Sequence, residues 1–144
     1  MTAKATPHRF PVRVYYEDTD AGGIVYHAQY LCFAERARTE LLREAGTDHH
    51  RLLADHGGVF AVRRATVDFR RPARLDDALI VETRVLSCSG VRLALQQDIK
   101  RNDEPLVLIE VELAFISLDL RPLRLPSRLI AGFADMDFLP STSA

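Results

Sequence analysis

The chain has 144 residues, enough for one domain that buries roughly 68–70% of its unfolded surface. With 47% hydrophobic and 27% charged residues it has an ordinary globular composition, and a formal net charge of −1 offers no bulk attraction for nucleic acid or an anionic membrane. No apolar run reaches the roughly 18–20 residues of an integral membrane span, and the first residues lack a signal-peptide apolar core, so a cytoplasmic protein is expected.

Cys32 and Cys88 are too few and too scattered for a disulfide framework. They are read as buried thiols in a reducing compartment. Lys4 and Lys100 are the only lysines among 19 basic residues. Arginine suits bidentate phosphate contacts, although such a bias also follows from genome composition.

In chain order, residues 1–8 read as a loose tail. Phe10-Pro11-Val12-Arg13-Val14-Tyr15-Tyr16 has the β-branched and aromatic make-up of a strand. Glu17, Asp18 and Asp20 then precede Gly22-Gly23, a pair that allows a sharp turn and a close backbone approach. From His27 to Ala45, apolar positions at Tyr30, Ala34, Ala37, Leu41 and Ala45 recur in steps of three and four, the helical period. Gly46 is the stop. A short capped helix or ordered loop follows at 47–56.

The period then changes to two. Strands are expected over 59–70, interrupted at Arg63, then over 79–85, 91–100 and 107–115, with turn residues between them. Pro122 and Pro126 end the sheet, a short helix lies near 129–133, and residues 135–144 form a second loose tail. One strand, one long helix and four more strands joined largely by hairpins predict a single α+β domain over 1–144, with a mostly antiparallel sheet.

A carboxylate placed beside a helix start meets free backbone N–H groups and a partial positive charge. That pairing suits attack on a carbonyl whose oxygen turns negative, and it singles out Asp20. An acid in such a turn is most often a solvated N-cap, and that reading stands beside the catalytic one. The turn lacks the ligand pattern of a calcium loop, and His49, His50 and His56 match no zinc spacing, so neither metal nor organic cofactor is expected. No serine or cysteine nucleophile signature is present. Glu35, mid-helix, is a weaker acid candidate and reads as half of a surface pair. His27 reads locally as a cap, packing or catalytic residue.

The run Tyr15-Tyr16-Glu17-Asp18-Thr19-Asp20-Ala21-Gly22-Gly23-Ile24-Val25-Tyr26-His27, followed by Tyr30 and Glu35-Arg36-Ala37-Arg38, resembles the 4-hydroxybenzoyl-CoA thioesterase family. Within that family it is most similar to the Tol–Pal-associated acyl-CoA thioesterases of Gram-negative bacteria. The resemblance runs over roughly residues 9–133 and takes in the Arg71–Asp77 turn. It implies a hotdog fold, a curved antiparallel sheet wrapped around one long helix. It also implies hydrolysis of an acyl-CoA thioester, or of an acyl carrier protein thioester, without a cofactor. Carried over, the catalytic aspartate falls on Asp20 and the oxyanion donor on the backbone N–H of His27, with Tyr16 and the His27 side chain in the site. A homodimer or homotetramer with active sites shared across the interface is further implied. His27 stands where the aromatic-substrate enzymes have tyrosine, which argues against a hydroxybenzoyl substrate. Two rivals remain: a hotdog hydratase acting on 2-enoyl thioesters, and a non-catalytic protein that binds acyl thioesters or partners at the cell envelope.

Overall fold

The computed structural model describes residues 6–134, and the expected tail at 135–144 lies outside them. Period-two alternation through the strands and one long amphipathic stretch dictate the architecture. Five strands, β1 (His8–Arg13), β2 (Gly58–Phe69), β3 (Ala78–Cys88), β4 (Arg92–Arg101) and β5 (Glu104–Ser117), form one sheet in the order β1-β3-β4-β5-β2. Every pairing is antiparallel. Three helices accompany it: α1 (Gln29–Glu44), α2 (His49–His56) and α3 (Ser127–Ala134).

The period-two rows assemble the core. Val81 and Val85 of β3, Leu93, Leu95 and Ile99 of β4, and Val107, Ile109, Val111, Leu113 and Phe115 of β5 are buried on the side that faces α1. From the helix come Tyr30, Phe33, Ala34, Ala37, Leu41 and Leu42. Ala34 and Ala37 are fully buried, and their small side chains let the helix axis lie close to the sheet. Register shifts at Val62/Arg64, Val85/Ser87 and Ile99/Lys100 mark bulges, which bend and twist a sheet. The first of them is the interruption expected at Arg63. The sheet wraps the helix as a hotdog fold does.

Gln97 is the polar member of an otherwise apolar row and is fully buried. Its amide donates to the Ala34 carbonyl at 2.9 Å and to the Thr83 hydroxyl at 3.1 Å, and its oxygen accepts from Arg38 at 2.9 Å. All of its polar atoms are therefore satisfied, and it ties the middle of α1 to β3 and β4. Burial lowers the pKa of Arg38, only partly offset by the charge of Glu35. On the other sheet face, Glu82 is buried among Lys100 at 2.8 Å, Arg9 at 3.1 Å and Arg84 at 3.8 Å.

Several expectations shift. Strand β1 begins at His8, inside the expected tail, and ends at Arg13, because Tyr16–Asp18 coil into a 3-10 turn. The long helix starts at Gln29 rather than His27, with Ala28 as its N-cap. Cys32 is exposed, not buried, since its side of α1 faces away from the sheet, and Cys88 is half-buried. The short segment is a helix, α2, capped by Asp48, whose carboxylate accepts the Arg51 N–H at 2.8 Å. Strand β2 departs most from its pattern. Its alternation asks for burial, yet Val62 is 52% and Phe69 is 51% exposed on this outer strand of the sheet.

Candidate active site

The acid-rich turn sorts its carboxylates by burial. Asp18 is buried, its Oδ2 accepts the Tyr15 N–H at 2.8 Å and its carbonyl accepts the Tyr26 N–H at 2.8 Å. This acid holds the turn closed. Two residues on, Asp20 is exposed. Its backbone is locked by Asp20 N–H to the Ile24 carbonyl at 2.9 Å and by Gly23 N–H to the Asp20 carbonyl at 3.1 Å. Its Oδ1 accepts the Gly22 N–H at 2.8 Å. The side chain is thus oriented by one hydrogen bond and keeps its second oxygen open.

Both glycines are needed here. Gly23 has φ +81°, the left-handed region that L side chains rarely adopt. A Cβ on Gly22 would stand 3.2 Å from Asp20 Oδ1 and press on the carboxylate.

Asp20 lines a cleft of ≈ 560 Å³ with Tyr16, Thr19, Ala21, Gly23 and Leu75. Tyr16 is 82% exposed. His27 lines a different cleft, of ≈ 290 Å³, with Ile24, Val25, Tyr30, Phe69 and the Arg70–Pro72 segment. Its ring packs against Tyr26 at 4.6 Å and meets the edge of Phe69 at 6.3 Å. Asp20 and Tyr16 therefore line one cleft and His27 another, with Gly23 on the first and Ile24 on the second. The Ile24–Val25 segment is fastened by the Ile24–Arg74 bridge and by the Val25 N–H to the Ala73 carbonyl at 2.9 Å.

His27 precedes α1 by two residues, and its N–H meets no backbone carbonyl among the described residues. Gln29 N–H, by contrast, donates to the Tyr26 carbonyl at 2.8 Å. No group of three or more His, Cys, Asp or Glu side chains that could hold a metal ion occurs among the described residues. His49, His50 and His56 are exposed.

Three features of the region were not read from the sequence. Phe69 ends β2 beside His27, Arg70 and Arg71 border the same cleft, and the Tyr30 hydroxyl accepts the Ala73 N–H at 3.0 Å. Tyr30 reads as a core position because its spacing is helical. Its hydroxyl was the one available signal of a further role.

A model of the thioesterase-like superfamily matches residues 14–133. The chain belongs to this family. Among its relatives, the acyl-CoA thioester hydrolase YbgC of Escherichia coli O6:H1 is 46% identical over 131 residues, which cover 89% of this chain and 96% of that protein. A probable thioesterase from Bartonella henselae, known from its crystal structure, is 40% identical with a TM-score of 0.81, covering 83% of this chain and 99% of that one. The 1,4-dihydroxy-2-naphthoyl-CoA thioesterase of Synechocystis superposes with a TM-score of 0.82 over 90% of this chain and 97% of its own. At 22% identity that likeness concerns the fold alone, and the hotdog fold of this thioesterase-like chain agrees with it.

Proposed function

We propose that this protein hydrolyses an acyl-CoA thioester to the free acid and CoA. The observation that carries the reading is an exposed carboxylate, Asp20, steered by a single N–H from Gly22 and set in a turn that leads into the start of α1. Asp20 acts as general base on water or as nucleophile forming a mixed anhydride; a carboxylate is chemically able to do either. The His27 N–H, which meets no backbone carbonyl among the described residues, polarises the thioester carbonyl as negative charge develops on its oxygen. The Tyr16 and His27 side chains belong to the site in this reading. The activity named for the Escherichia coli relative supports the substrate class.

Asp20 and His27 face separate clefts, and the outer strand beside them is uncovered. A second copy packed along β2 would cover Phe69 and Val62 and join the two clefts across the seam. The protein is accordingly read as a homodimer or homotetramer with shared sites, acting on acyl-CoA or acyl carrier protein in the cytoplasm. Arg70 and Arg71 line the His27 cleft and are paired with Asp68 and Glu104; in this reading arginines near the cleft meet the phosphates of the pantetheine carrier.

The test is free-thiol release across a panel of acyl-CoA substrates. Thiol release with catalytic turnover supports a thioesterase. Loss of enoyl absorbance without thiol release would instead indicate a hydratase, and saturable binding without turnover a non-catalytic acyl-thioester protein.

A further inference from the structure

Among the described residues, Leu75 is the only one from outside the acid-rich turn that lines the Asp20 cleft. Arg71 and Pro72, a few residues earlier, line the His27 cleft. One short turn, residues 71–77, therefore supplies wall to both clefts, and its placement shapes them together. Asp77 folds this turn on itself. Its N–H donates to the Arg74 carbonyl at 3.1 Å, and its Oδ2 accepts the Arg74 N–H at 2.8 Å. Asp76 sits at φ +70°, a left-handed setting that a residue other than glycine keeps only where its surroundings enforce it.

The end of the β4–β5 hairpin holds this turn from outside. Asn102 and Asp103 at the tip have φ +51° and +65°, as a two-residue type I′ turn requires, and Arg101 and Glu104 stand opposite each other in register. Arg101 donates to Asp77 Oδ2 at 2.7 Å and to the Pro72 carbonyl at 3.4 Å. Glu104 meets Arg71 at 3.3 Å and Arg101 at 3.5 Å. The hairpin thus grips the turn at both ends. The Arg101 and Asp77 side chains are 28% and 23% exposed, so solvent screens the pair only in part. Burial alone would raise the Asp77 carboxyl, but the Arg74 N–H and the Arg101 guanidinium outweigh that and hold it below its ordinary value. The pair is charged at neutral pH.

We propose that Arg101 is a positioning residue of this site, which by holding Asp77 and Pro72 sets the turn that carries Leu75 to the Asp20 cleft and Pro72 to the His27 cleft. This rests on the thioesterase reading above. Arg101 lines neither cleft and acts only through the turn. A turn released from the hairpin lets both walls drift, and a misplacement of about 1 Å at a reacting site costs up to roughly 10²-fold in rate.

The competing role is stability alone. Arg101→Gln removes the charged grip. Asp77→Asn keeps an oxygen for the Arg74 N–H, so the turn stays folded on itself while its link to Arg101 weakens. Glu82→Gln is the control: it breaks another buried ion pair, with Lys100 and Arg9, and lines neither cleft. Each variant is assayed by thiol release at a temperature where its thermal melt shows it fully folded. Amide exchange is read at Val25, Ala73 and Arg74, whose N–H groups tie the turn in place. Arg101→Gln and Asp77→Asn are expected to lower kcat about 10- to 10²-fold, with KM within about two-fold, and to speed exchange at those three amides. Glu82→Gln should lower Tm and leave kcat and those amides as in wild type. Folded Arg101→Gln and Asp77→Asn enzymes with kcat within two-fold of wild type would overturn the proposal in favour of stability alone, as would an equal loss of kcat in Glu82→Gln. If Arg101→Gln does not fold, Asp77→Asn decides alone. The wild-type assay tells the two failures apart. Thiol release by wild type with unaffected variants removes this inference only, whereas a wild type that releases no thiol removes the thioesterase reading and this inference with it.

Discussion

Asp18 and Asp20 are two residues apart and have opposite surroundings. The first is buried and holds the Tyr15 N–H; the second is exposed and receives only the Gly22 N–H. Composition cannot separate them, because burial is decided by the way the 3-10 turn folds the chain back on Tyr26. Asp18 is therefore more than a solvated cap, and Asp18→Asn is expected to lower stability. Glu82 offers a second test at this scale. Burial alone would raise its carboxyl, but the Lys100 hydrogen bond and the charges of Lys100, Arg9 and Arg84 outweigh that and hold it below its ordinary value. A carboxylate with a depressed pKa stabilises the fold above its unfolded value, near 4.3, and loses that contribution as pH falls through the folded value. Glu82→Gln should accordingly melt below wild type at pH 7, with the gap closing in acid below about pH 4. A gap that is constant with pH would show that the charge contributes nothing.

Among the elements, α1 was legible in outline and misplaced at its start. The spacing of Tyr30, Ala34, Ala37 and Leu41 marks the face that is buried. His27 and Ala28 carry no breaker to signal that the first regular residue is Gln29. Its N-cap, Ala28, has no side-chain oxygen to bond the helix, so the usual cap signature is missing. Ala37→Leu adds bulk where the helix meets the sheet, and should cost about 1–3 kcal/mol of stability through overpacking, read as a lowered Tm. An unchanged Tm would place that face elsewhere. The strands were the easiest to read, since alternation and turn residues repeat through β3, β4 and β5.

At the scale of the whole molecule, β2 explains what the sequence left obscure. Its alternation was read correctly as a strand, but one chain covers only its first residues. An outer strand with half-exposed Val62 and Phe69 is a surface that folded proteins usually cover or blunt. The proposed oligomer would cover this edge, and pattern reading within one chain has no access to such a contact. Phe69→Asp should turn a sedimenting oligomer into a monomer and reduce hydrolysis together with it. A wild-type monomer in solution, or a Phe69→Asp oligomer of unchanged size, would contradict that placement. Asp20 and His27 were expected in one site, whereas the single chain gives them two clefts, which the proposed second copy would join.

Whether the Asp20 carboxylate does the chemistry is decided by steady-state kinetics of Asp20→Asn on an acyl-CoA substrate. The substitution keeps the shape and the Gly22 contact while removing both basicity and nucleophilicity. kcat is expected to fall by about 10²–10⁴, the range for losing a general base, with KM and Tm close to wild type. Glu17→Gln and His27→Ala, measured in parallel, should lose less, because the first is exposed and the second keeps its backbone N–H. Hydrolysis by Asp20→Asn within a few-fold of wild type would mean that the turn is structural and that the catalytic assignment is wrong.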